Sequence, residues 1–407
     1  MTQSLTALSP TFWSANAGDK FYKTTFFRAI CSFKEEALVK GSGRIVDRPY
    51  LSDIVAESYV KGTAATAQDA TATTDPLTLD QFYDVLMYFD DVDVMQNKYD
   101  TAKLYADEAG LRIGVKFDAH VLYEAINANS AVDDADMGGT SNYGISLGLT
   151  NIDQTFGEIN EALDSLNVPE EERFLVLTPL FYNKLWQRIA GKDSMLGDRS
   201  GETGMIGTYG SLKLYKSNNV TGTARWTPGD ALTPTDGETL TIEGITFTWK
   251  TTIGATAGNV LAVTDMPTSI DNLVALINNG GATSDAGVSN VSLSTANQRA
   301  VQNWVAVDGA TYVTIYVKGT PSLTVTGSQT ADTWDAEYTS QVCLAGRKGA
   351  INAAIQTRGN GIIDTAMAST VSAGKRGINV MPLLVGGVKT FNNDKNALVK
   401  VLIRSNS

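Results

Sequence analysis

Lys40-Gly41-Ser42-Gly43-Arg44-Ile45-Val46-Asp47-Arg48-Pro49 opens a polar, glycine-flanked, strand-like excursion whose tip, residues 62–74, is dominated by Ala, Thr, Gly and Asp. A tip of that composition buries too little apolar surface to order itself. Such a segment either stays unordered or takes its missing surface from a neighbouring molecule, and the second outcome makes the chain a building block of an assembly. The excursion ends at Asp75-Pro76, a turn signal. Leu77, Leu79, Tyr83, Val85, Met87 and Phe89 then recur at a period of two, which predicts a strand with one strongly apolar face.

Asp90-Asp91 closes that strand, and beyond it Met95, Tyr99, Ala102, Ala106, Ala109, Ile113, Phe117 and Val121 step by three and four residues. This is the stripe of an amphipathic helix. Unbroken over residues 92–126 it would be about 50 Å long, against a usual length near three turns. Gly110 and Gly114 weaken it locally, so a bend is expected there. Ahead of the excursion, residues 1–33 mix aromatics such as Phe12, Trp13, Phe26 and Phe27 with Ser, Thr and Asn and keep no clean period, as an arm would, with a short helix over 19–29.

Downstream, residues 153–165 read as a second amphipathic helix, Phe174-Leu175-Val176-Leu177-Thr178-Pro179 as a short buried strand, and 180–190 as a helix. A polar, Gly-rich loop spans 191–207 and an alternating strand 210–218. Composition then shifts to Thr, Gly, Val and Ala over residues 220–335, with short alternating runs at 239–242, 245–249, 312–317 and 323–325 and helical pieces at 267–279 and 292–301. That is enough chain for a small α+β domain of its own, inserted because strand-helix logic resumes after it. Residues 350–356 read as helical, 377–390 as a strand pair or one bent strand, and 397–403 as a final strand that completes the sheet begun before the insertion.

The 407 residues carry 32 Lys and Arg against 44 Asp and Glu, a formal charge of -12. The excess is uneven: net -12 over 1–220, -6 over 221–336 and +6 over 337–407. An acidic body does not grip phosphate backbones, and its basic C-terminal segment invites complementary contacts within or between subunits. Cys31 and Cys343 show neither disulfide-framework nor metal-ligand spacing, and the single histidine, His120, excludes a multi-His metal site. The Gly-rich loop at Gly197-Asp198-Arg199-Ser200-Gly201-Glu202-Thr203-Gly204 lacks the Lys-Ser/Thr of a phosphate cradle and follows a helix, so it reads as a loop. The turn Gly346-Arg347-Lys348-Gly349 is basic enough to touch a phosphate and equally well a solvated turn. Carboxylates cluster at Asp90, Asp91 and Asp93 and at Asp133, Asp134 and Asp136 without EF-hand spacing. No catalytic residue, cofactor or metal is expected. The first basic residue is Lys20, no signal-like segment precedes it, and the most apolar run, 378–388, is too short to span a membrane, so the expectation is a soluble protein made in a cytoplasm.

The order of these pieces carries a resemblance. An aromatic arm, a polar two-stranded excursion, Leu77-Thr78-Leu79-Asp80-Gln81, Asp90-Asp91 with a long helix, Phe174-Leu175-Val176-Leu177-Thr178-Pro179 before Phe181-Tyr182, Gly207-Thr208-Tyr209-Gly210 ahead of Lys216-Ser217-Asn218-Asn219, and Ala345-Gly346-Arg347-Lys348-Gly349-Ala350 follow one another. In this order the chain resembles the Hong Kong 97-type major capsid protein of tailed bacteriophages, over about residues 10–220 and 341–403. The resemblance implies an α+β fold with an N-arm (1–39), an extended E-loop (40–76), a peripheral domain with its spine helix (77–149 and 391–407), an axial domain (150–219 and 337–390) and an insertion domain (220–336). It implies subunit-interface residues Arg44, Asp47, Arg48, Tyr50, Lys61 and Asp75, and Asp198, Arg199 and Glu202 in a loop around the capsomer axis. Lys61 is the tip lysine that covalent cross-linking, known in some members, would need.

The implied partners are further copies of the chain in hexamers and pentamers, a portal, a separate scaffolding protein where one is used, a decoration protein and encapsidated double-stranded DNA held without sequence specificity. The implied location is the virion, after assembly in the host bacterial cytoplasm. A different class, a secreted or surface β-rich adhesin with the Thr/Gly/Val-rich middle as its binding part, is weakened by the lack of a signal segment.

Overall fold

Alternation along the chain after residue 77 seats the first of the sheets. In the computed structural model, which describes residues 25–39, 43–51, 56, 58, 61–62, 72–90, 101–190, 207–227, 234–263, 265–283, 289–328, 333–356, 364–368 and 377–405, strand β1 (Ile45–Leu51) returns as β2 (Ala72–Thr78). The two form an antiparallel hairpin running from Ile45 opposite Thr78 to Leu51 opposite Ala72, with no other described strand in their sheet. The single strand expected over 77–89 is divided: β2 ends at Thr78, and β3 (Gln81–Asp84) and β4 (Met87–Asp90) follow.

β3 and β4 lie in one continuous register on β19 (Gly377–Thr390), with Asp84 opposite Leu383 and Met87 opposite Val380. The gap falls where Val85 faces Pro382, which has no N–H to return; the Val85 N–H still donates to the Pro382 carbonyl at 3.2 Å. The period of two holds across the gap, Tyr83 and Val85 turning inward and Phe82, Asp84 and Leu86 outward. Along its other edge β19 pairs with β17 (Ile351–Gln356) and then β18 (Asp364–Ala368).

One expectation changes here and another is narrowed to one of its two alternatives. Residues 350–356 form a strand and not a helix, because Ile351, Ala353 and Ile355 face one core while Ala354 faces another. Burial on both faces outweighs the helical preference of alanine. Residues 377–390 make one 14-residue strand with no turn.

Against this sheet packs the long helix. After the short α1 (Phe27–Ile30), α2 (Thr101–Tyr123) runs 23 residues, about 35 Å, and a 3-10 turn over Glu124–Asn127 continues it. The expected start at residue 92 lies outside the described residues. Ala109, Ile113, Phe117 and Val121 of the predicted stripe are buried. Gly110 and Gly114 sit inside one uninterrupted helix, and Gly114 serves close approach: a Cβ there would lie 2.9 Å from Cγ2 of Thr25.

One turn on, Asp118 accepts the backbone N–H of Phe27 at 2.9 Å and of Phe26 at 3.3 Å, tying α1 to α2. Burial pushes the Asp118 carboxyl up to about 7, against the pull of those two donors. A carboxyl raised on folding contributes most below its ordinary pKa and loses that contribution as pH climbs to about 7. Asp118→Asn is therefore expected to flatten the decline in urea midpoint between pH 4 and 8; a variant with the wild-type slope would refute the assignment.

A second sheet of nine strands divides two cores. Its order is β13 (Trp304–Asp308), β14 (Val313–Val317), β9 (Thr221–Thr227), β16 (Thr333–Arg347), β6 (Arg173–Leu177), β8 (Leu212–Lys216) and β7 (Thr208–Tyr209), with β20 (Leu398–Arg404) on β16 and β5 (Ser130–Val132) on β20. Phe174, Val176, Val342, Leu344, Leu398 and Leu402 face the core under α2. Leu175, Leu177, Cys343, Ala345, Val399, Val401 and Ile403 face the core under α3 (Ile152–Ser165) and α4 (Pro179–Ala190). Strands apolar on both faces belong inside a layered fold.

That burial redistributes the C-terminal segments. β20 pairs with β5, inside the expected 77–149, and through β16 also shares the sheet of β6 and β8, while β17 and β19, expected beside 150–219, lie with β3 and β4.

Residues 224–325 hold a further core. A four-stranded sheet, β12 (Asn259–Leu261), β11 (Ile245–Lys250), β10 (Thr239–Ile242) and β15 (Val325–Gly327), packs with α5 (Met266–Asn278) and α6 (Thr295–Val301). Trp226 stacks on Trp249 at 5.9 Å inside it. The segment is also continuous with the nine-stranded sheet, because β9 and β16 pair across residues 221–227 and 333–342, with a register shift between Asp335 and Ser340. Among the described residues no helix is long and apolar enough to cross a membrane.

Candidate assembly surface

Among the described residues, the hairpin of β1 and β2 is clamped at its base. Val46, Leu77 and Leu79 join Val39, Ala354 and Phe391 in a small apolar cluster, while Ile45, Asp47 and Pro49 are exposed. Polar contacts lock the same end. Arg48 Nη1 donates to Asp394 Oδ2 at 3.0 Å, and its guanidinium lies 4.7 Å from the centre of the Phe391 ring. Buried Asp75 pairs with Lys389 Nζ at 2.6 Å and accepts the Asn392 N–H at 2.8 Å, and Lys389 also donates to the Pro76 carbonyl at 2.8 Å. Burial pushes the Asp75 carboxyl up, but the hydrogen bonds from Lys389 and Asn392 and the charges of Lys389 and Lys395 outweigh it, leaving its pKa below the ordinary value.

Two of the residues expected to face a neighbouring subunit are thus held within the chain. Arg48 and Asp75 fix the hairpin to the turn after β19, a role that sequence spacing could not show because their partners lie more than 300 residues away. Arg44, Asp47 and Lys61 are exposed and Tyr50 is half-buried. Asp198, Arg199 and Glu202 lie outside the described residues.

A second surface escaped the sequence reading. Phe82 is 59% exposed and Leu86 65%, and Tyr88 and Leu383 join them on the open side of the sheet whose other face packs under α2. Its signal was present: the positions between the inward residues of β3 and β4 are themselves partly apolar, so that stretch carries two apolar faces where a surface strand needs one.

The chemistry-bearing residues are occupied structurally. His120, buried on α2, meets Lys318 Nζ at 3.1 Å through Nδ1, and burial first, then that charge, lowers its pKa to about 3. Asp133 caps a 3-10 turn by accepting the N–H of Ala135 at 2.9 Å and of Asn142 at 2.6 Å, while Asp136 accepts that of Asp133 and Asp134 that of Thr140. Asp91 and Asp93 lie outside the described residues, as does the Gly-rich loop at 197–204. The basic turn Arg347-Lys348 leans on Glu171 and Glu172, beside a cleft of about 420 Å³.

No protein-family model matches the chain, and no curated protein matches it in sequence. Solved structures do. A chain from Mycobacterium phage Che8 superposes with a TM-score of 0.56 over 97% of this chain and 96% of that one, at 12% identity. The capsid structure of the cyanophage P-SCSP1u gives 0.54 over 100% and 96%, at 14% identity. This chain has a phage-capsid fold. The mature capsid of bacteriophage PhiM1 agrees, with a TM-score of 0.51 over 98% and 93% at 11% identity. At such identities the likeness is one of fold, and it extends over 97–100% of this chain.

Proposed function

We propose that this protein is the major capsid protein of a bacteriophage, and that copies of it close into an icosahedral head around double-stranded DNA. The observation that carries the reading is the hairpin of β1 and β2: a two-stranded arm clamped, among the described residues, at its base, on a chain that follows a phage-capsid fold over 97% of its length. An isolated two-stranded hairpin is marginal in water, so a neighbour has to complete it. The apolar face of Phe82, Leu86, Tyr88 and Leu383 is a second surface that association would cover. Shared interfaces of roughly 2,000 Å² or more per contact set are what a permanent assembly requires.

In this reading residues 1–39 are the N-arm and 40–76 the E-loop. α2 with β3, β4 and β17 to β19 forms the peripheral domain, and α3 and α4 with β6, β8, β16 and β20 form the axial domain. Residues 224–325 project outward, and Arg44, Asp47, Tyr50 and Lys61 meet neighbouring subunits. The net charge of -12 suits a container that encloses DNA without pinning its phosphates. Portal, scaffold and decoration proteins complete the particle.

Electron microscopy of the protein purified after expression alone and after expression with the neighbouring head genes is the test. Closed icosahedral particles are expected in at least the second preparation. Monodisperse monomers in both, at concentrations where shells form, would overturn the reading.

A further inference from the structure

Among the described residues the nine-stranded sheet ends at β13, which pairs with β14 alone. The Lys318 N–H donates to the Asn303 carbonyl at 3.0 Å, which sets the alternation: Val305 and Val307 bond toward β14, and the N–H and C=O of Trp304, Ala306 and Asp308 point away from it. An open edge of this kind is a template for a strand from another chain. Ala306 stands at its centre, and one side chain engages both of its groups. Asn278 Oδ1 accepts the Ala306 N–H at 2.8 Å, and Asn278 Nδ2 donates to the Ala306 carbonyl at 2.8 Å. The carboxamide supplies the acceptor and donor that an incoming strand would supply.

Asn278 is the last residue of α5 and is exposed, so it contributes no apolar packing. The same helix also reaches the four-stranded sheet: Asn272 Nδ2 donates at 3.0 Å to the carbonyl of Leu261 on β12, whose N–H donates to the Ser289 carbonyl. Beside the guarded position Val307 remains 47% exposed, the kind of apolar residue that makes an uncovered edge adhesive.

We infer that Asn278 is an edge guard, which keeps β13 from pairing with β13 of a second copy of this chain. Pairing of that kind would be antiparallel and two-fold symmetric about Ala306, so it would close as a dimer and not propagate. The inference concerns the chain itself and holds whether or not it forms a shell.

The test uses the full chain. Asn278→Ala is expected to double the sedimenting mass in a concentration-dependent way and, in dilute solution, to speed amide exchange at Ala306 by about tenfold. Asn279→Ala, which removes a neighbouring exposed amide bonded to the carbonyls of Ala282 and Thr283, should do neither. Adding Val307→Lys to Asn278→Ala should restore the wild-type mass, because a lysine on an edge blocks strand pairing; a packing defect would not be rescued in this way. Unchanged mass together with unchanged exchange overturns the inference. Were Asn278→Ala to unfold, exchange in the wild type decides: an Ala306 amide as fast as those of exposed loops would show that the amide guards nothing.

Discussion

Replacing Asp75 by Ala will destabilise the hairpin base by about 1–2 kcal/mol, because the Asn392 N–H and the Lys389 ammonium lose the carboxylate that accepts from both. Lys389 is partly solvated and recovers some hydration, which keeps the loss from being larger. The effect carries a pH signature. Since folding lowers the Asp75 pKa, its contribution is complete above the ordinary carboxylate value of 3.8 and fades as pH falls through the folded-state pKa. Wild type and Asp75→Ala should therefore differ in urea midpoint at pH 7 and converge in acid. On the capsid reading the variant should also yield soluble, folded chains in place of closed particles, since an arm without a fixed bearing cannot seat on a neighbour. Normal shells from it would remove the hairpin base from the assembly mechanism.

Gly387→Ala should be more severe, for a different reason. A Cβ at Gly387 would lie 2.2 Å from the Thr78 carbonyl oxygen and 3.1 Å from Leu79 Cα, and both of these are backbone. No side chain can swing aside, so β19 or the exit of the hairpin has to move, at a cost of about 3 kcal/mol. Gly157→Ala is the matched control. It lies in α3 with nothing within 4 Å of the added methyl, and alanine there should raise stability by about 0.5–1 kcal/mol through helix propensity. Thermal midpoints moving in opposite directions would confirm both; a tolerated Gly387→Ala would show that the hairpin can shift without loss.

The sequence spelled out what local periodicity governs. The stripe Ala109, Ile113, Phe117, Val121 and the helix at 152–165 could be read directly, as could the continuous apolar run at 174–177. Alternation at 83–89 marked the correct face of β3 and β4, and missed only the gap at Pro382, a residue distant in sequence. Where two-sided burial decided, local reading failed. Ala353-Ala354 looked helical until two cores claimed its two faces, whereas the strand expected at 397–403 does complete the sheet begun before the insertion, on β16 and β5. The polar locks were illegible for the same reason: nothing near Arg48 announces Asp394, and nothing near Asn278 announces Ala306.

The arm and its clamp are also separated in time. Arg48 and Asp394 stand 346 residues apart, which a ribosome covers in roughly 17–70 s at about 5–20 residues per second. Through that interval the nascent hairpin has neither Asp394 nor Lys389 to hold it, so chains still being made cannot present it in its final direction. On the capsid reading, grip on a neighbour would thereby be restricted to chains whose synthesis has passed the turn after β19, and unfinished chains on one messenger would be kept from seizing each other.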